Sequence, residues 1–279
     1  MLAVGAGLQA CSAVKLAYNQ APQLTYFYLD GYIDFTSEQS LKVKEELQKL
    51  HEWHRHTQLP AYADSLQKLR QQLASDIQPQ TACNAFDDAR AKLVAVTNRA
   101  EPIAAAMLPT LEARQLKQME KKFGKVNADY RDDFLDGTPE KLRSKRIKEA
   151  VKRSEMLYGD LEKPQLDLIA ARIDASVFKP ERSYAERLRR QRDALQTLTP
   201  LVSGVGTPAE SQVAVRRLVE RVLNSPDRDY RNYVESFTRE NCETFAELHN
   251  STNAKQRAKA AEVLRDYENH FRMLAARDA

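Results

Sequence analysis

The sequence predicts an all-α fold, an antiparallel multi-helix bundle of amphipathic helices. Three observations predict it. Apolar residues recur at three- and four-residue spacing through most of the chain. Hydroxyl and proline residues stand where helix starts need them. Glycine is scarce, 8 in 279 residues, and a single aromatic segment is all that reads as strand. Helices that each carry one apolar face must bury it against one another, so a bundle follows.

"LTYFYLDGYIDF", residues 24–35, holds Asp30-Gly31 between aromatic runs, which is a hairpin signal. A helix is the preferred assignment, because a lone two-stranded ribbon is poorly stable and Leu24, Phe27, Tyr28, Gly31, Tyr32 and Phe35 fit one helical face. That face is expected to pack the N-terminal region onto the bundle; contact with a bilayer interface, where Tyr is favoured, is the alternative. Thr36-Ser37-Glu38-Gln39 reads as a capping box opening a helix to about residue 57, with Leu41, Leu47 and Leu50 on its apolar face. Leu66, Leu69 and Leu73 mark the next helix. Thr138-Pro139 and Thr207-Pro208 each put a cap before a proline at the first helical position, where its missing N–H costs nothing. Pro60, Pro79, Pro109, Pro164, Pro180 and Pro226 mark further breaks. Val213, Leu218, Val219 and Val222 form one late stripe; Val263, Leu264, Tyr267, Phe271 and Leu274 form another. Residues 11–279 are expected to form a single helical domain without a strong internal repeat. Its softest spot is 199–209, "TPLVSGVGTPA", a linker or a loop between bundle helices.

The first ten residues, MLAVGAGLQA, are uncharged and mostly small or apolar, like the end of a secretion signal. They lack the basic leader of such signals, and the simplest explanation is a start codon placed too late. Leu8-Gln9-Ala10-Cys11 resembles the bacterial lipobox, with Gln9 as a departure. The resemblance implies a signal-peptide remnant over 1–10, cleavage before Cys11 and acylation of its sulfur, since several acyl chains anchor stably. Ser12 in place of Asp then implies the outer membrane. The expected address is the bacterial cell envelope, lipid-anchored and facing the periplasm; an ordinary N-terminus with an incidental cysteine is the alternative. No later apolar run reaches the roughly 20 residues that span a bilayer.

Two cysteines remain, Cys83 and Cys242. In an oxidising compartment they are expected to form a disulfide that pins an early helix to the penultimate one. Closing so long a loop stabilises by about 5 kcal/mol in the chain-entropy picture. Two buried free thiols are the alternative.

Candidate chemistry is sparse. "HEWHRH" places His51 and His54 three residues apart, close enough to share a helix face, with His56 pointing elsewhere. It is not the His-Glu-x-x-His motif, in which the ligands stand four apart. The two are weak candidates for a metal, as in a periplasmic metal-binding sensor; a helix end with rings facing solvent and Trp53 turned inward is the simpler account. No nucleophile constellation or phosphate loop appears, so no enzyme and no cofactor are expected. "KLRSKRIKEAVKR", residues 141–153, carries Lys141, Arg143, Lys145, Arg146, Lys148, Lys152 and Arg153 against one Glu, and "ERLRRQR", 186–192, is similar. With an envelope address, anionic lipid, lipopolysaccharide or acidic proteins are the expected partners, and nucleic acid is not. Plain solvated helix faces would fit as well, because 43 Lys and Arg face 39 Asp and Glu overall.

"CSAVKLAYNQAPQLTYFYLDGYIDF" followed by "LHEWHRHTQLPAYA" resembles an uncharacterised family of proteobacterial lipoproteins. The resemblance implies an envelope location and a helical fold, and brings no activity. "LEARQLKQMEKKF" (111–123) and "LEKPQLDLIAARI" (161–173) resemble the Leu-Thr-x-x-Gln motif of the small periplasmic chaperones Spy and CpxP, with Glu112 and Glu162 in place of Thr. That resemblance implies a chaperone-like, non-enzymatic protein holding partner or client proteins on a helical surface. A structural or assembly factor of the outer membrane is the alternative function.

Overall fold

The computed structural model describes residues 14–205 and 207–276; the signal remnant and Cys11 lie outside the described residues. A helical stretch over 14–19 leads into α1 (Ala21–Ile33), α2 (Ser37–Trp53), a π-helical turn (His54–Gln58) and α3 (Leu59–Gln72). Then come α4 (Pro79–Met107), a 3-10 turn (Leu108–Thr110), α5 (Ala113–Phe134), α6 (Pro139–Tyr158), α7 (Lys163–Asp174) and α8 (Pro180–Leu198). A second 3-10 turn (Thr199–Leu201) precedes α9 (Pro208–Leu223), α10 (Arg228–Asn250) and α11 (Ala254–Ala275). No strand occurs among the described residues, so the fold is all-α.

Local sequence accounts for the helix starts. The hydroxyls of Thr36, Thr138 and Thr207 accept the N–H groups of Gln39, Lys141 and Glu210. Asp227 and Asn253 do the same for α10 and α11. Each cap satisfies a donor that the helix itself leaves free. Pro79, Pro139, Pro180 and Pro208 open their helices. Pro102 lies inside α4 without ending it, at the loss of one main-chain bond.

The bundle interlocks parts distant in sequence. α11 lies along α3, and α4 is flanked by α9 and α10. Cys83 near the start of α4 is bonded to Cys242 in α10, with Cα atoms 5.3 Å apart. One buried cluster joins Leu108, Leu111, Leu116 and Met119 to Leu198, Leu201, Val202 and Val215. The 199–209 stretch is therefore tied down at its start: Ser203 N donates to Leu111 O at 2.6 Å and Gly204 N to Pro109 O at 2.8 Å. Other clusters gather Leu73, Ile77, Ala246 and Leu264, and Tyr158, Ile169, Leu248 and Ala260.

Three sequence expectations are corrected. Residues 24–35 are helical as expected over α1, but only part of the expected face points inward. Tyr32 and Phe35 are half-buried against the core, together with buried Tyr26 and half-buried Ile33, while Leu24, Phe27 and Tyr28 are exposed. Pro60 stands at a helix start, but no loop separates that helix from α2. The π-turn widens the register so that Leu59 N–H reaches His54 O, and Pro60 then falls in the first turn of α3, where no donor is needed. Leu41 and Val213, expected on inward stripes, are exposed, and Val43 and Val215 are the buried members.

Four glutamines build the joints of this bundle. Gln39 of α2 and Gln115 of α5 are buried and face each other. Gln39 Nε2 donates to Gln115 Oε1 at 3.2 Å, and Gln115 Nε2 donates to Gln39 Oε1 at 2.7 Å. Each Oε1 also accepts the N–H three residues before it in its own chain, from Thr36 at 3.0 Å and Glu112 at 2.8 Å. Each Nε2 donates as well to a carbonyl just ahead of the other helix, Thr110 O at 2.6 Å and Asp34 O at 3.0 Å. Gln165 of α7 and Gln256 of α11 repeat the arrangement. Both amide-to-amide distances are 2.8 Å. The N–H donors are Glu162 and Asn253, and the carbonyl acceptors are Ser251 and Asp160. The chain thus carries a structural repeat that its sequence does not announce.

Replacing Gln115 by Ala strands a main-chain N–H, a carbonyl and the Gln39 amide in the interior, and is expected to destabilise the fold by about 2–4 kcal/mol. Gln115→Glu should cost a similar amount, because a carboxylate cannot donate. The two pairs share no residues, so Gln115→Ala and Gln165→Ala should add within about 0.5 kcal/mol. Urea unfolding of the single and double variants measures both.

Candidate binding site

The π-turn creates a polar corner at the join of α2 and α3. It swings Arg55 inward, where its guanidinium donates to Leu274 O at 3.0 Å and Asn19 Oδ1 at 2.8 Å. Arg55 also lies over the Tyr18 ring, 5.2 Å from its centroid. A cation against the last carbonyls of α11 meets the negative end of that helix. The turn therefore joins the 14–19 stretch, α2, α3 and the end of α11.

Both candidate histidines are part of this corner. His51 Nε2 donates to Tyr18 O at 3.0 Å. The two ring nitrogens of His54 meet Tyr18 Oη at 2.9 Å and Tyr62 Oη at 3.2 Å. They are half-buried and face the protein, not solvent as the sequence suggested; Trp53 is half-buried too, with Arg99 6.0 Å from its ring centroid. Burial lowers the pKa of both histidines; Arg55 adds to this at His51, and His51 adds to it at His54. Burial likewise pushes Tyr18 up to about 12 and raises Tyr62. With these nitrogens engaged, the pair is built for hydrogen bonding. Among the described residues no three His, Cys, Asp or Glu side chains are grouped to hold a metal.

A groove of about 640 Å³ starts at this corner and follows α3 and α4 towards their connection. His54 and Tyr62 form its polar end. Leu66 and Leu69 of α3, Leu93 and Val96 of α4, and Phe271 of α11 supply apolar walls. Leu93 is 61% exposed, so this apolar surface is open to a ligand. Lys68, Asp88 and Lys92 stand among the lining residues. Burial pushes the Asp88 carboxyl up, but hydrogen bonds from Lys92, 2.5 Å away, and from Ser65, with the charges of Lys92 and Lys68, together bring it below its ordinary value. Lys68 is exposed and leaves the groove with an excess of positive charge. An apolar trough of this size with a few converging polar groups has the character of a binding site.

The basic residues of 141–153 all lie on α6. Arg143 holds Asp174 with two hydrogen bonds of 2.5 and 2.7 Å, and Lys145 pairs with Asp133 at 2.7 Å. Arg146 is half-buried over the Phe178 ring, and burial lowers its pKa. Lys141, Lys148, Lys152 and Arg153 are exposed. In 186–192, Arg189 and Arg190 both bind the buried Glu186. Part of the basic surface, Arg143, Lys145, Arg189 and Arg190, is therefore paired within the chain, while Lys141, Lys148, Lys152 and Arg153 remain as exposed charge on α6.

The groove draws on residues that the sequence did not mark as site residues, Tyr62, Lys68 and Leu93, with Tyr18 behind them on His54. Only the unusual density of rings around "HEWHRH" hinted at them. The model of a family of unknown function, DUF6279, matches residues 31–231, well over half of the chain. No curated protein and no solved structure matches it.

Burial also lowers the pKa of His249, whose ring meets Tyr158 Oη and Ser75 O, both at 3.0 Å. For His51, His54 and His249 the unfolded chain binds protons more readily than the folded one. Their contribution is complete above the unfolded value near 6.5 and is lost as the pH falls below it. The urea midpoint should be level above about pH 7 and fall towards pH 5, with a shallower fall in His249→Gln. A midpoint that rises on acidification contradicts this assignment.

Proposed function

We propose a non-enzymatic binding role for this chain, which belongs to the DUF6279 family of unknown function. It is a lipoprotein of the bacterial envelope, anchored through Cys11 to the outer membrane and facing the periplasm, and it holds segments of client proteins on its helical surface. The observation that carries this role is the open groove between α3, α4 and α11. Its apolar walls suit one face of an amphipathic segment, and Lys68 suits an acidic flank. The histidines and tyrosines at its end bond one another, which supports a rigid rim more than proton transfer.

Two further observations support the proposal. The Cys83–Cys242 disulfide suits an oxidising compartment, as the lipobox-like Leu8–Cys11 does. The motifs that resemble those of Spy and CpxP contribute Gln115 and Gln165, one to each buried glutamine pair. A holdase needs a stiff frame around an open apolar surface, and fully bonded interior amides stiffen a frame.

Light scattering from a thermally unfolding client enzyme tests this role. The wild-type chain is expected to suppress aggregation at stoichiometric ratio. Leu93→Glu with Val96→Glu buries charge against the client and should raise the amount needed about tenfold. A wild-type chain without effect at that ratio rejects the holdase role.

A further inference from the structure

Helix α1 is apolar on both sides, yet the fold covers only one of them. Its inner face packs on α2 and α5. Its outer face presents Leu24, Phe27 and Tyr28 at 57%, 60% and 64% exposure. Nothing lies within 4 Å of where a Cβ on Gly31 would sit, so the face stays open along its length. The helix continues backward through the hydrogen bonds Leu24 N to Gln20 O (2.9 Å) and Gln20 N to Leu16 O (3.0 Å). Leu16, also 64% exposed, extends the same row, since positions 16, 20, 24, 27, 28 and 31 share one side of a helix.

The helices that hold α1 set two lysines against its rings. Exposed Lys44 of α2 stands over the Tyr26 ring, 4.3 Å from its centroid, and half-buried Lys122 of α5 stands over the Tyr32 ring, itself half-buried beside the row, at 5.6 Å. Neither lysine pairs with a carboxylate among the described residues. The acids of the segment are engaged elsewhere: Asp30 accepts Phe35 N at 2.9 Å, and Asp34 pairs with Arg114 at 3.0 Å. The thirteen residues that precede the described chain carry no charge.

We propose that this face of α1 docks on the anionic surface of a phospholipid bilayer. Leucine and aromatic rings on one side of a helix, with lysines at its edges, match the boundary between acyl chains and charged headgroups. A second copy of the chain fits less well. Two such faces brought together would set the flanking lysines against one another, whereas anionic headgroups neutralise both flanks at once. The surface is separate from the groove and needs no acyl group, so it stands apart from the client-binding role.

The test uses the full chain carrying Cys11→Ser, which cannot be acylated, and flotation with phosphatidylglycerol–phosphatidylethanolamine vesicles. Binding is expected, and pure phosphatidylcholine vesicles should bind about tenfold less. Leu24→Ser/Phe27→Ser/Tyr28→Ser should lower partitioning by an order of magnitude or more while thermal unfolding stays unchanged, because all three side chains are exposed. Lys44→Glu/Lys122→Glu should weaken it about tenfold and flatten its salt dependence. Three outcomes overturn the proposal: vesicle binding that the triple variant retains, binding lost instead on Lys145→Glu/Arg146→Glu/Lys148→Glu, or a dimer in light scattering that the triple variant dissociates.

Discussion

Everything else in this fold depends on two pairs of buried glutamine carboxamides. A glutamine side chain offers two donors and can accept twice at its oxygen. In Gln39, Gln115, Gln165 and Gln256 all of that capacity is used, by the partner amide, by the N–H three residues back and by a carbonyl ahead of the opposite helix. Each pair therefore clamps two helix starts and the two loops that lead into them. In a low-dielectric interior such a closed network is strong when complete and costly when broken. Glutamate lacks the donors and leucine lacks everything but bulk, so only the carboxamide satisfies the site.

The pairs set where helices can lie. The first fixes the α1–α2 corner against the turn before α5, and the second fixes the α6–α7 corner against the turn between α10 and α11. Between them, α3 runs beside α11, α4 runs beside α10, and the Cys83–Cys242 bond ties that seam. The seam is built from the two ends of the chain. The groove lies there between α3 and α4, with Phe271 of α11 on its wall. The residues matched by the family model end at 231, so α11 lies beyond the matched span.

Much of the fold was legible because its determinants are local. The Thr36 box, the Thr138 and Thr207 caps and the prolines at helix starts follow from hydrogen bonding within one turn. The disulfide followed from the parity of the cysteines. What escaped is tertiary. Gln39 read only as a cap, Gln115 and Gln165 only as parts of a motif, and Gln256 not at all, because each pairing joins residues at least 76 positions apart. The face of α1 was legible in part: Tyr32 and Phe35 pack inward as read, but Tyr26 and Ile33 take the place of Leu24 and Phe27, because periodicity cannot choose between two apolar sides. Pro60 looked like a stop because the π-turn that absorbs it is held by Tyr18 and Leu274, both remote in sequence. The basic run on α6 is exposed charge at Lys141, Lys148, Lys152 and Arg153, but Arg143, Lys145 and Arg146 meet Asp174, Asp133 and Phe178, which lie outside that helix and which its own sequence could not name.

The most direct measurement on this account is hydrogen exchange at the glutamine side chains, followed by heteronuclear NMR of the folded protein. The amide protons of Gln39, Gln115, Gln165 and Gln256 should be dispersed in chemical shift and exchange far more slowly than those of exposed Gln23. If all four exchange as fast as Gln23, the carboxamides are not closed on one another, and the frame that positions the groove must be held by something else.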